Sequence, residues 1–231
     1  MNPGAGRVIE LPELRNRGQV FRDRAHAGEV LAGMLAEYRG SGALVLGIAA
    51  GGVPVAAALA RTLGLALDVA VVSKVTLPWN TEMGYGAVAF DGTMRLNEDM
   101  VARLGLGPVE VEKGIARMRE KVRDRVQRFR AGRPLDVAGR VAIVVDDGLA
   151  SGFTLLTAVA AVRNGQPSRL IVAVPTGHGE SAQRIAGEVD ALYCANVRTS
   201  PAFAVADAYE QWSDVSEDEA LALLRTAQQP H

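Results

Sequence analysis

Val144-Val145-Asp146-Asp147-Gly148-Leu149-Ala150-Ser151-Gly152-Phe153-Thr154 is the stretch on which the reading of the fold turns. It opens as the end of an apolar run, Arg140 to Val145, that reads as a buried strand, and it leads into Gly152 to Arg163, a helical pattern ended by Asn164-Gly165. Two carboxylates and then small residues stand between strand and helix. Ala150, Ser151 and Gly152 let successive backbone N–H groups curl towards one anion at the positive end of the helix, and Ser151 and Thr154 add hydroxyl donors. Asp146 and Asp147 do not suit a phosphate, but as acceptors they suit vicinal ribose hydroxyls or a hydrated magnesium ion. A ribose beside its own 5-phosphate fits that order. The same residues also suit an ordinary turn and helix cap, since Asp and Ser are common at strand-to-helix junctions.

Outward from this loop the pattern alternates. Asp23 stands as a cap before a helical stripe of Ala27, Val30, Leu31, Met34, Leu35 and Tyr38, with Gly40 past its end. Ala43 to Ile48 is a short apolar strand, Ala49-Ala50-Gly51-Gly52 a turn, and Pro54 to Leu63 a helix stopped by Gly64. Leu67 to Ser73 and Gly86 to Phe90 read as further strands, with an irregular polar segment from Lys74 to Tyr85 between them and a hairpin-type turn at Asp91-Gly92. Asn97 suits the cap of a short helix. A long helix over Val109 to Arg130 carries Ile115, Met118, Val122, Val126 and Phe129 on one stripe. Leu170 to Val174 and Ala191 to Cys194 repeat the strand signal around a helical Ser181 to Glu188. Ser216-Glu217-Asp218-Glu219 has the capping-box pattern before a last Leu-rich helix. Met1 to Gly18 reads as an extended lead-in.

Strands alternating with helices imply an α/β fold, a mostly parallel sheet with helices on both faces. Ligands of such sheets lie beyond the carboxyl ends of the strands, which directs attention to the turns after Ile48, Ser73, Val145 and Val174. The length allows one core, so residues 1–231 are expected to form one domain, with a lid or hairpin and a helical insertion at about 74–133.

Lys and Arg number 25 against 26 Asp and Glu, so no general field attracts nucleic acid or an acidic membrane and any anion site must be local. The single cysteine, Cys194, cannot form an internal disulfide and reads as a buried structural thiol. No apolar run is long enough to span a bilayer and no basic leader precedes one, so a cytoplasmic location is expected. Gly47-Ile48-Ala49-Ala50-Gly51-Gly52 lacks the G-x-G-x-x-G spacing of a nicotinamide-binding turn.

Two hydrophobic residues, two acidic residues, Gly, two small or apolar residues, Ser, Gly and a nearby Thr make the central loop resemble the phosphoribosyl pyrophosphate signature of type I phosphoribosyltransferases. The likeness continues through Phe21-x-Asp23-Arg24-x-x-Ala27-Gly28, Gly47-x-x-x-Gly51-Gly52-Val53-Pro54-Val55-Ala56, Ser73-Lys74-Val75, Gly86-Ala87-Val88, Val172-Ala173-Val174-Pro175 and Val215-Ser216-x-x-Glu219. It is nearest to the uncharacterised predicted phosphoribosyltransferase branch. The resemblance implies a parallel core sheet, a small hood over its carboxyl edge, a magnesium cofactor and transfer of a 5-phosphoribosyl group to a nitrogenous acceptor with release of pyrophosphate.

Carried over residue by residue, Asp146 and Asp147 hold the ribose and a hydrated magnesium ion. Ala150, Ser151, Gly152, Phe153 and Thr154 hold the 5-phosphate, and Ala50, Gly51, Gly52 and Lys74 hold the pyrophosphate. Lys74 joins the acidic pair as a candidate catalytic group. The family commonly carries Pro-Arg where this chain has Ala49-Ala50, so the guanidinium expected beside a diphosphate is absent. That departure keeps a second reading open, a non-catalytic regulator that binds phosphoribosyl pyrophosphate or a nucleotide.

Thr76 to Met83 reads as the lid of such a fold or as a surface loop. The cations from Lys113 to Arg130, Arg125 among them, suit a solvated helix face or a replacement for the missing arginine. His178, in a loop running from Pro175 to Gly179, is the candidate acceptor contact. Phe203, Tyr209 and Trp212 suit stacking on a base as well as packing. Expected partners are phosphoribosyl pyrophosphate and a small-molecule acceptor, with no membrane and no nucleic acid; a homodimer is left open.

Overall fold

The computed structural model describes residues 6–77 and 80–227. Its main sheet has six strands, all parallel, in the order β1 (Arg7–Ile9), β9 (Ala191–Arg198), β8 (Arg169–His178), β7 (Val141–Val145), β2 (Leu44–Ile48) and β3 (Ala66–Ala70). The helices between them are α1 (Arg24–Met34), α2 (Gly52–Leu63), α5 (Phe153–Asn164) and α6 (Gly179–Ala186), with α7 (Glu217–Ala227) at the end.

Alternation along the strands divides the core into two layers. Val45, Ile143, Val145, Ile171 and Ala173 pack with α1, α2 and α7 through residues such as Leu31, Leu59 and Leu224. Leu44, Leu46, Val144, Val172 and Leu192 face the other way, onto Leu155, Val159, Val162 and Ile185 of α5 and α6. The parallel sheet with helices on both faces is therefore present.

Between β3 and β7 the chain leaves the sheet. β4 (Val72–Leu77), β5 (Asn80–Ala89) and β6 (Met94–Leu96) make a separate antiparallel sheet, followed by α3 (Glu98–Arg103) and α4 (Pro108–Arg130). These are the hood strands and the helical insertion. Asn97 caps α3 through its side-chain oxygen, which accepts from the Met100 amide at 3.0 Å. Along α4, Ile115, Met118, Val122 and Phe129 are buried as their spacing predicts.

Four expectations need correction. The single strand expected over Leu67 to Ser73 is two strands separated at Val71, the first in the main sheet and the second in the hood, so Ser73 and Lys74 belong to β4. The segment from Lys74 to Tyr85, read as irregular, is β-structure: β4 and β5 pair as an antiparallel hairpin with register shifts beside Thr76. Of that segment, Pro78 and Trp79 lie outside the described residues. The lead-in carries β1, which adds an edge strand to β9, because three residues with open N–H and C=O groups complete the ladder there. The loop from Pro175 to Gly179 is largely the continuation of β8, which Thr176 to His178 extend by pairing with Asn196 to Arg198.

Candidate functional site

All core strands run the same way, so the ends of β2 and β7 bring two loops together at one edge. The turn after β2 meets the acidic pair after β7. A Cβ placed on Gly51 would lie 2.4 Å from Asp147 Oδ2, and one on Gly52 2.6 Å from the Val145 carbonyl. Only residues without a side chain allow the turn this close, which gives the pair of glycines a packing reason. The Ala49–Ala50 peptide is cis.

Asp146 and Asp147 are half-buried beside each other. Burial pushes the Asp146 carboxyl well above the usual carboxylate range, and the Asp147 charge adds to the shift. Burial also raises Asp147, against the pull of Arg24. Arg24, at the first turn of α1, binds Asp147 Oδ2 through Nε at 3.0 Å and Nη2 at 2.9 Å. Its remaining nitrogen donates to the Ser213 carbonyl at 2.8 Å, and its guanidinium lies 3.8 Å from the centre of the Trp212 ring. The Tyr209 hydroxyl donates to the Asp147 carbonyl at 2.6 Å and its ring packs 5.0 Å from Trp212. Asp147 is thus clamped by α1 and the C-terminal segment, while Asp146 accepts only from the Asp147 amide, at 3.0 Å, among the described residues.

After the pair, Leu149 is tied back to β8 through the Thr176 and His178 backbones, and Gly152, at φ 73°, turns the chain into α5. The amides of Ala150, Ser151, Gly152, Phe153 and Thr154 have no hydrogen-bond partner among the described residues. Open amides at the start of a twelve-residue helix suit an anion. A cavity of about 200 Å³ is lined by residues 146–155 together with Lys74 and Val205. Lys74 also lines an adjoining space with Gly86, Met100, Ser151 and Thr154. The acidic pair, the open amides and Lys74 therefore share one cavity; Gly51 and Gly52 pack against the acidic pair at its edge, and Ala50 precedes them in the turn.

His178 does not line that cavity. It sits at the end of β8 in a different pocket with Glu10, Arg15, Gln183 and Thr199, its ring 6.0 Å from Phe203. Tyr209 and Trp212 are spent on Asp147 and Arg24. Cys194 is buried, and burial pushes its thiol up to about 12, as an inert structural group requires.

Arg24 and Arg125 are the site-bordering residues to which sequence reasoning gave no role of their own. Arg24 stood inside a recognised motif but its partner lies 123 positions away. Arg125 stood among seven other cations of α4. Its side chain is only 11% exposed, so at this position the solvated-face reading fails.

No group of three or more His, Cys, Asp or Glu side chains that could hold a metal ion occurs among the described residues. Two adjacent carboxylates nevertheless fit hydrated magnesium, which binds through one or two carboxylates and keeps water and substrate oxygens as its other ligands. Among the described residues no helix is long and apolar enough to cross a membrane.

Residues 18–206 match the family model of the phosphoribosyl transferase domain. Proteins from two strains of Mycobacterium tuberculosis, provisionally named phosphoribosyl transferases, are 36% identical over 212 residues, covering 90% of this chain and 47% of each relative. The chain spans about half the length of the curated relatives it matches. The crystal structure of TT1426 from Thermus thermophilus superposes with a TM-score of 0.70 at 35% identity, over 88% of this chain and 97% of that one. The AQ2163 protein from Aquifex aeolicus, at 12% identity, TM-score 0.51 and coverage of 84% and 90%, shares the fold.

Proposed function

The chain belongs to the phosphoribosyl transferase family, and from that premise we propose that it transfers a 5-phosphoribosyl group from phosphoribosyl pyrophosphate to a nitrogenous acceptor. The observation that carries the reading is the shared cavity: an acidic pair, five open amides and a lysine around one space at the carboxyl edge of a parallel sheet. The amides of Ala150 to Thr154 receive the 5-phosphate, and Asp146, with the free oxygen of Asp147, accepts from the ribose hydroxyls. The turn at Ala50 to Gly52 and Lys74 receive the diphosphate. As the bond from C1 of the ribose to the diphosphate oxygen breaks, the acceptor nitrogen closes on C1 from the other side. The chain contributes position and fixed donors towards the charge that develops on the leaving group. Magnesium, held by Asp146 and Asp147, would supply further positive charge to the phosphate oxygens when bound.

Calorimetry with phosphoribosyl pyrophosphate and magnesium, followed by a screen of bases for pyrophosphate release, tests the reading. Replacing both carboxylates, Asp146→Asn with Asp147→Asn, is expected to weaken binding by about tenfold or more, since amides are poorer acceptors for charge-assisted hydrogen bonds. Unchanged affinity in that variant removes the pair from the site.

A non-catalytic binder of the same ligand is the second reading. It is favoured by the Arg24 clamp on Asp147 and by alanines where the family carries Pro-Arg. Tight binding with no pyrophosphate released for any base selects it.

A further inference from the structure

We propose that Arg125 is a positioning residue for the pyrophosphate half of the site, locking the Ala49 to Gly52 turn to the strand that carries Lys74. The inference rests on the functional reading above and assigns a task to a residue of the insertion helix. Four of the five N–H donors of this guanidinium are engaged: Nε with Glu217 at 2.7 Å, Nη1 with the Val72 carbonyl and Ser73 Oγ at 2.9 Å each, and Nη2 with the Ala49 carbonyl at 3.0 Å.

Three of those acceptors flank the two places where a diphosphate would be held. Ala49 opens the glycine turn, and Val72 and Ser73 immediately precede Lys74 on β4. Main-sheet pairing stops at Ala70 and hood pairing begins at Val72, so the two segments belong to different sheets. Arg125 spans that break. It also covers a carbonyl oxygen of the turn with a cation, which lowers the negative potential where an anion must approach. Donors fixed before the anion arrives need no rearrangement, and a planar fork holds several acceptors in one geometry where an ammonium cannot.

The experiment is isothermal titration of wild type, Arg125→Lys and Arg125→Gln with pyrophosphate plus magnesium and, separately, with ribose 5-phosphate. Both variants are expected to lose about tenfold in pyrophosphate affinity. Ribose 5-phosphate affinity should stay within about twofold, because its cradle is built by β7 and α5 and does not touch Arg125. The ribose 5-phosphate arm also reports that the variants are folded. Full pyrophosphate affinity in Arg125→Lys overturns the proposal, since charge alone would then suffice. Equal loss for both ligands overturns it too, by showing a general structural role. Should the Arg125 variants fail to fold, Ser73→Ala removes one of the four contacts and is expected to cost about threefold on pyrophosphate alone; no change there overturns the proposal. A wild type that binds ribose 5-phosphate but no pyrophosphate defeats this inference while leaving the sugar-phosphate site intact. A wild type that binds neither defeats the functional reading and the inference with it.

Discussion

Asp146 and Asp147 are neighbours in sequence with different company. Asp147 has Arg24 at 2.9 Å, whereas Asp146 has burial, a like charge beside it and one backbone amide. An acid whose pKa is raised by folding holds its proton more tightly in the folded chain than in the unfolded one. The stability that it contributes is full below the unfolded value, about 3.9, and is lost as pH rises through the raised folded value. At neutral pH the ionised carboxylate is therefore a cost. Asp146→Asn should raise the Tm by at least about 2 °C at about pH 8, a change of order 1 kcal/mol for a chain of this length, and the gain should fade towards about pH 4. Scanning calorimetry of the two proteins at both pH values checks this; equal Tm at alkaline pH would show that the carboxylate is not strained. Stability and ligand binding should move in opposite directions in this variant, as they do where a site is kept at the expense of the fold. That the acidic pair and the open amides would line one cavity was legible in the sequence because they occupy one continuous run. The Arg24 clamp was not, since its partners Asp147 and Ser213 lie 123 and 189 positions away.

At the scale of elements, α4 and α7 are joined by charge. Arg125 and Arg128 both meet Glu217 in the first turn of α7, and Arg128 also meets Asp218 at 2.6 Å. The acidic first turn suits the positive end of that helix, and the cations opposite it suit the acids. The expected capping box is present: the Glu219 amide donates to Ser216 Oγ at 3.2 Å, and the Ser216 amide donates to Glu219 Oε2 at 2.7 Å. Ser216→Ala should cost about 1 kcal/mol, measured as a lower urea midpoint at unchanged slope, with ribose 5-phosphate affinity unaltered. No loss would mean that α7 is held by Ala220 and Leu224 in the core rather than by its cap. The apolar stripe of α4 was readable from its period. Which of its many cations turn inward was not, because the stripe fixes a buried face only to within a residue, and both Arg125 and Arg130 border it and are largely covered.

The whole molecule follows from one rule of parallel sheets. Every core strand ends at the same edge, so the turn after β2 and the loop after β7 meet there even though a hood and an insertion separate them in sequence. That much could be read from alternating strands and helices. The edge strand β1 and the extension of β8 through His178 could not, because both depend on pairing with β9, a non-local partner whose register no local pattern fixes. The extension carries His178 into a different pocket from the one lined by Asp146.

The stack of Arg24 on Trp212 also makes the chain its own optical probe. An indole emits according to the charge around it, and this one lies 3.8 Å from a guanidinium whose counter-charge is Asp147. Any ligand that changes the charge at the acidic pair should therefore alter emission without an added dye. In a Trp79→Phe background, which leaves Trp212 as the sole tryptophan, titration with phosphoribosyl pyrophosphate and magnesium should shift or quench the signal by about 10% or more, and Arg24→Gln should abolish the response. A flat trace across a titration that calorimetry registers would show that the ligand settles without disturbing the Asp147–Arg24–Trp212 relay. A moving one would give acceptor screening a continuous readout in the wavelength of a single side chain.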